Sequence, residues 1–156
     1  MTAPDLLLAL ERLGPVALLR SSGLLYPVVS ALHILGIALL VGAIAVFDLR
    51  LLGVIRSGDW QTALRSNAPV AAGGLVLALI TGLLLFAVRA SVYVQNPALW
   101  VKWGLILLAL LNIAAFYRLL RKAETAPTPG MRACALLSLV FWVAAVFAGR
   151  WIAFTD

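Results

Sequence analysis

The chain has 156 residues, 64% hydrophobic and only 12% charged, with a mean hydropathy of +1.09. Soluble domains carry about 25% charged residues, so these figures exclude a soluble globular core and point to one membrane domain. The net charge of +6 gathers at the ends of apolar runs and is no nucleic-acid footprint; the single cysteine, Cys134, excludes an internal disulfide and any multi-cysteine metal site.

Residues 5–20, DLLLALERLGPVALLR, have Leu6, Leu7, Leu10 and Leu13 on one side and Glu11 and Arg12 elsewhere. Gly14-Pro15 breaks the run, because proline lacks a backbone donor and disfavours helix before it. The stretch is too short and too charged to span. It reads as an interfacial helix lying on the membrane, or as a helix buried against the bundle. With no basic n-region, it does not read as a cleaved signal peptide.

The first span is roughly residues 24–47, with Pro27 near its start and Asp48 and Arg50 just past its end. About 20 apolar residues cross a bilayer as a helix. His33, the only histidine, lies well inside this run. A titratable ring in hydrocarbon marks a candidate functional site. Residues 56–67 read as a polar connection in which Asp59 caps a short turn.

The second span is roughly 68–89. Gly74, Ala78 and Gly82 recur every four residues, a stripe that lets a neighbouring helix approach closely. Residues 90–97 form a loop ending in Asn96-Pro97, an N-cap followed by a first-turn proline. The third span is roughly 98–117, with Trp100 and Trp103 as interfacial anchors. Pro127, Pro129 and Gly130 keep the next loop out of helix. The fourth span is roughly 131–154, with Arg150 and Trp151 near its end.

The expected fold is therefore all-α: a polytopic four-transmembrane-helix bundle preceded by a short N-terminal interfacial helix. Four spans place both termini on one side. The loops after spans one and three carry seven basic residues against five on the opposite side, which makes the former cytoplasmic. Both termini then face outward from a bacterial inner membrane.

Depth brings several charges together. His33 lies about nine residues, or about 13 Å, into span one. Lys102 opens span three on the same side, and Arg89 and Arg150 close spans two and four there. All four helices thus send a basic or titratable group to the outer half. Tyr26, Ser30, His33, Ile37 and Leu40 share one face of span one, and Lys102, Ala109 and Asn112 share a side of span three.

Two readings of that cluster stand side by side. In one it holds a flat anionic ligand such as haem b, with His33 on the iron, Lys102 as second ligand or anion partner, and Arg89 and Arg150 as charge partners. A typical membrane b-type haem uses two histidines, and this chain has one. In the other, His33 bonds a neighbouring helix and the basic side chains snorkel to headgroups. At the opposite end, an Asp48–Arg118 or Asp48–Arg121 ion pair would pin helix ends together, and the arginines there could instead hold an anionic lipid. Ser30, Thr81 and Ser138 read as helix–helix hydrogen bonds. No nucleotide loop, zincin or nucleophile-elbow motif is present.

The segments LHILGIALLVGAIAVFDLRLLG (32–53), NPALWVKWGLILLALLN (96–112) and SLVFWVAAVFAGRWIAF (138–154) resemble a family of small uncharacterised bacterial four-helix membrane proteins. The Leu-His-x-x-Gly opening is also similar to CopD-type copper-resistance membrane domains. A histidine in an early span with a lysine opening a later one is similar to HemJ-type protoporphyrinogen oxidases, which bind haem b. That likeness implies ligand-binding roles for His33 and Lys102. It does not carry the oxidase reaction, since no second histidine follows Lys102.

The expectation is a haem-b-binding membrane protein passing electrons from a donor such as quinol. The alternatives are a CopD-like metal-handling or permease-like protein, and a non-catalytic accessory subunit packing on a partner or a second copy.

Overall fold

The computed structural model describes residues 3–122, 126–152 and 154. Every regular element among them is helical: α1 Ala3–Glu11, α2 Gly14–Ser21, α3 Leu25–Leu51, α4 Trp60–Val88, α5 Ala90–Tyr93, α6 Pro97–Leu120 and α7 Pro129–Ile152. Four of these, α3, α4, α6 and α7, are long and apolar enough to cross a membrane.

The first three spans are longer than the hydropathy runs that announce them, and the fourth is shifted two residues towards the N-terminus. The helix expected from residue 68 already begins at Trp60. Its cap is Asp59, whose Oδ2 accepts from the Thr62 amide at 3.0 Å. The polar residues between are compatible with helix, and Pro69 is carried inside it. Proline withholds only its own amide, and the Asn67 side chain donates to the Ala63 carbonyl at 2.9 Å. Likewise, Pro129 and Gly130 open α7 instead of ending the loop. Thr128 Oγ1 accepts from the Met131 amide there. Proline is tolerated in a first turn, where its missing donor would have no partner. Asn96 caps α6 as its spacing predicts, accepting from the Ala98 amide at 2.9 Å.

The N-terminal stretch forms two short helices divided at Gly14-Pro15. Val16 and Leu19 of α2 are buried against Ala87 and Val88 at the end of α4, so this segment is docked on the bundle. Glu11 secures α1 to α5. Its carboxylate accepts from both the Ser91 amide at 2.8 Å and the Ser91 hydroxyl at 2.7 Å.

The spans pair as two sequential hairpins, α3 with α4 and α6 with α7, joined along a seam between α3 and α7. α4 and α6 are not among the packed pairs, so the bundle has three closed sides and one loose one. The centre is filled by Leu40, Ala109 and Trp142, from α3, α6 and α7. A second buried cluster, of Leu51, Phe116, Met131, Cys134 and Ala135, closes the Asp48 end. Ile34, Leu111 and Phe147 are among many large apolar side chains left exposed on the outside. That surface is suited to lipid.

Candidate functional site

A close approach of α3 and α4 lies one turn from the histidine. Gly36 of α3 and Gly74 of α4 face each other. A Cβ on Gly36 would stand 2.7 Å from the Ala78 nitrogen, and one on Gly74 would stand 2.6 Å from the Leu40 nitrogen. Only glycine permits backbones this close. The expected small-residue stripe of α4 is thus consumed inside the chain, against α3.

One turn beyond Ala78, the same stripe receives His33. A Cβ on Gly82 would lie 2.9 Å from His33 Cε1. His33 Nδ1 and Thr81 Oγ1 are 3.1 Å apart, and the Thr81 hydroxyl donates to the Leu77 carbonyl at 2.6 Å. With its one proton committed, the hydroxyl accepts from Nδ1–H. This arrangement favours the Nδ1–H tautomer, in which Nε2 carries the lone pair. Thr81 is one of the hydroxyls expected to make helix–helix hydrogen bonds, and it does so to the only histidine.

Lys102 is brought into the same region. Its side chain lies over Gly149 of α7, where a Cβ would stand 3.3 Å from Nζ. Its charge is near enough to act on His33. The arginines are placed differently. Arg89 is the exposed C-cap of α4 and acts electrostatically on Glu11. Arg150 is exposed and sits over the Phe154 ring, 5.0 Å from its centroid. Of the four residues expected to converge, Lys102 lies within electrostatic range of His33, packed against Gly149 rather than against the imidazole, and Arg89 and Arg150 are exposed at helix ends.

The other end of the interior departs further from expectation. Asp48 pairs with neither Arg118 nor Arg121, both of which are exposed. It is 3% exposed and lies beside the Ser138 hydroxyl of α7. The cause is rotational: Asp48 points into the bundle, whereas the two arginines lie on the outer face of α6. Nearby, Asn112 Nδ2 donates to the Cys134 carbonyl at 2.8 Å, linking α6 to α7. These groups border a cavity of about 310 Å³ between α4 and α6. Asp48 and His33 are fifteen residues apart on α3, about 22 Å along the axis. The Leu40, Ala109 and Trp142 cluster lies between them.

Residues 17–155 match DUF6644, a family of unknown function. The chain belongs to that family. The matched region takes in all four spans, with His33, Asp48, Lys102 and Asn112 inside it, and leaves α1 outside. No curated protein and no solved structure matches the chain. Membership of DUF6644 therefore agrees with the likeness to uncharacterised four-helix proteins and carries no activity with it. The likenesses to CopD and HemJ gain nothing from these comparisons.

Proposed function

We propose that this DUF6644 protein binds haem b at the His33–Lys102 end and passes electrons between a membrane donor such as quinol and an acceptor at that face. The supporting observation is the bond from His33 Nδ1 to Thr81. A ligating imidazole needs its second nitrogen held by an acceptor, which orients the ring and keeps Nε2 available. Thr81 and Gly82 together supply that hold. His33, so oriented, is the residue that would hold the iron. Lys102 serves as a second ligand when neutral, or pairs with a carboxylate when charged. Arg89 and Arg150 at the rim have the charge to attract propionates without touching the pair. The bound haem would supply a one-electron iron couple.

The likeness to HemJ-type proteins agrees with this reading, and the oxidase reaction is not carried over. CopD-like metal handling has less behind it, because among the described residues no group of three or more His, Cys, Asp or Glu side chains gathers.

The test is an optical spectrum of protein purified in mild detergent from haem-replete cells, oxidised and then reduced with dithionite. The expected result is a Soret band with reduced α and β bands, lost in His33→Ala. A flat visible spectrum from well-folded protein overturns the proposal.

A further inference from the structure

The cavity at the Asp48 end has a chemistry of its own. Its walls come from all four spans, and it lies on the loose side of the bundle, between α4 and α6. All of its lining residues belong to the four spans. The α4 wall is built from small residues, Ala68, Ala71 and Ala72, which leave room for a flat or chain-like body. Phe47 and Phe116, in edge-to-face contact with centroids 5.4 Å apart, add aromatic surface. About 310 Å³ is at the small end of ligand pockets.

One wall carries the buried carboxyl of Asp48. Its Oδ2 is buried and has no hydrogen-bond partner. Ser138 gives the carboxyl a single neutral neighbour, and no arginine or lysine is paired with it. Asn112 and Asn67 border the same space; each directs one amide proton to a backbone carbonyl, of Cys134 and Ala63, and neither reaches Oδ2. A carboxylate buried in an apolar setting calls for a counter-charge and a hydrogen-bond donor. The chain supplies neither to Oδ2.

We infer that the α4–α6 cavity is a binding site for a lipophilic organic amine, which enters from the bilayer and places its ammonium on the Asp48 carboxyl, whose buried Oδ2 turns towards it on binding. An ammonium provides both the missing charge and the missing donor. Its apolar body takes the alanine and phenylalanine walls. The site lies about 22 Å from His33 across the apolar centre, so it operates independently of haem at the other end.

The probe is radiolabelled N,N-dimethyldecylamine, bound to the full chain in nanodiscs at neutral pH, with empty-disc counts subtracted. Decanol, which keeps the chain and lacks the charge, is measured alongside it. Saturable binding of the amine and none of decanol is expected in the unaltered protein. Asp48→Asn preserves shape and removes the charge, and amine affinity should then fall about tenfold or more. Ala71→Phe fills the cavity while leaving Asp48 in place, and should also abolish binding. Equal binding of amine and decanol, or no saturable amine binding to the unaltered chain, overturns the inference. Both outcomes are read without any variant, so a failure of Asp48→Asn to fold does not shelter it.

Discussion

The imidazole of His33 occupies the space that a side chain at residue 82 would need. A Cβ on Gly82 would stand 2.9 Å from Cε1 and 3.4 Å from Nδ1, while Thr81 on the same helix holds Nδ1. α4 therefore grips the ring through two consecutive residues. Gly82→Ala should displace the ring and lower stability by about 1–3 kcal/mol, the usual cost of overpacking. Gly73→Ala, with open space at its Cβ, is the matched control. Thermal melts of the two variants in detergent decide the matter, and equal melting temperatures would refute the packing argument.

The Gly36–Gly74 contact should be less forgiving. There the clashing atoms are backbone, at 2.7 Å from Ala78 N and 2.6 Å from Leu40 N, and backbone cannot swing aside as an imidazole can. Gly36→Ala and Gly74→Ala should each fall at the upper end of about 1–3 kcal/mol. Gly42→Ala has no neighbour within 4 Å and should be neutral, or stabilising by up to about 1 kcal/mol through helix propensity. Unfolding midpoints in a denaturing detergent series should rank the three in that order.

Much of this architecture is legible in the sequence, because hydrocarbon thickness sets a length scale that composition reveals. The four spans, the Asp59 and Asn96 caps and the Gly74 to Gly82 stripe all follow from local chemistry. What escapes is whatever depends on a neighbour. Hydropathy marks where a helix leaves the membrane, not where it stops, so α4 begins at Trp60 and α7 at Pro129. Depth places His33, Lys102, Arg89 and Arg150 at one level, but rotation decides that only the first two turn inward. Asp48 is the clearest case. Its sequence neighbourhood suggests an arginine partner, and the α3–α7 seam gives it Ser138.

The link from Asn112 to the Cys134 carbonyl is the one side-chain tie described between the buried faces of α6 and α7. Asn112→Leu keeps the bulk and loses the donor. Since the carbonyl can retain its place in the helix, the cost should be modest, about 1 kcal/mol. Reversible unfolding of the variant in bicelles measures it. A loss several times larger would mean that Asn112 also supports the cavity wall.

Acid should loosen the N-terminal helix. The two bonds from Ser91, side chain first and backbone second, hold the Glu11 carboxyl below its ordinary value of 4.5. A depressed folded value stabilises the docked state above the ordinary value, and that stabilisation is lost as pH falls through the folded one. Protection of the α1 and α5 amides, relative to the intrinsic exchange rate at each pH, should therefore fall below about pH 4. In Glu11→Gln the acid-dependent step should vanish. Protection that stays flat with pH in the unaltered chain would rule out the Glu11–Ser91 latch.

Each tight pair of spans is contiguous in the sequence, and only the α3–α7 seam joins them. The first hairpin can close on Gly36 and Gly74 as soon as α4 is made. The cavity beside Asp48 cannot exist then, because α6 and α7 supply half its walls. Until Ser138 arrives, the Asp48 carboxyl stands in hydrocarbon with no hydroxyl beside it. Order of synthesis thus sets a vulnerable interval, in which a half-made membrane protein carries a bare acid that the finished one conceals.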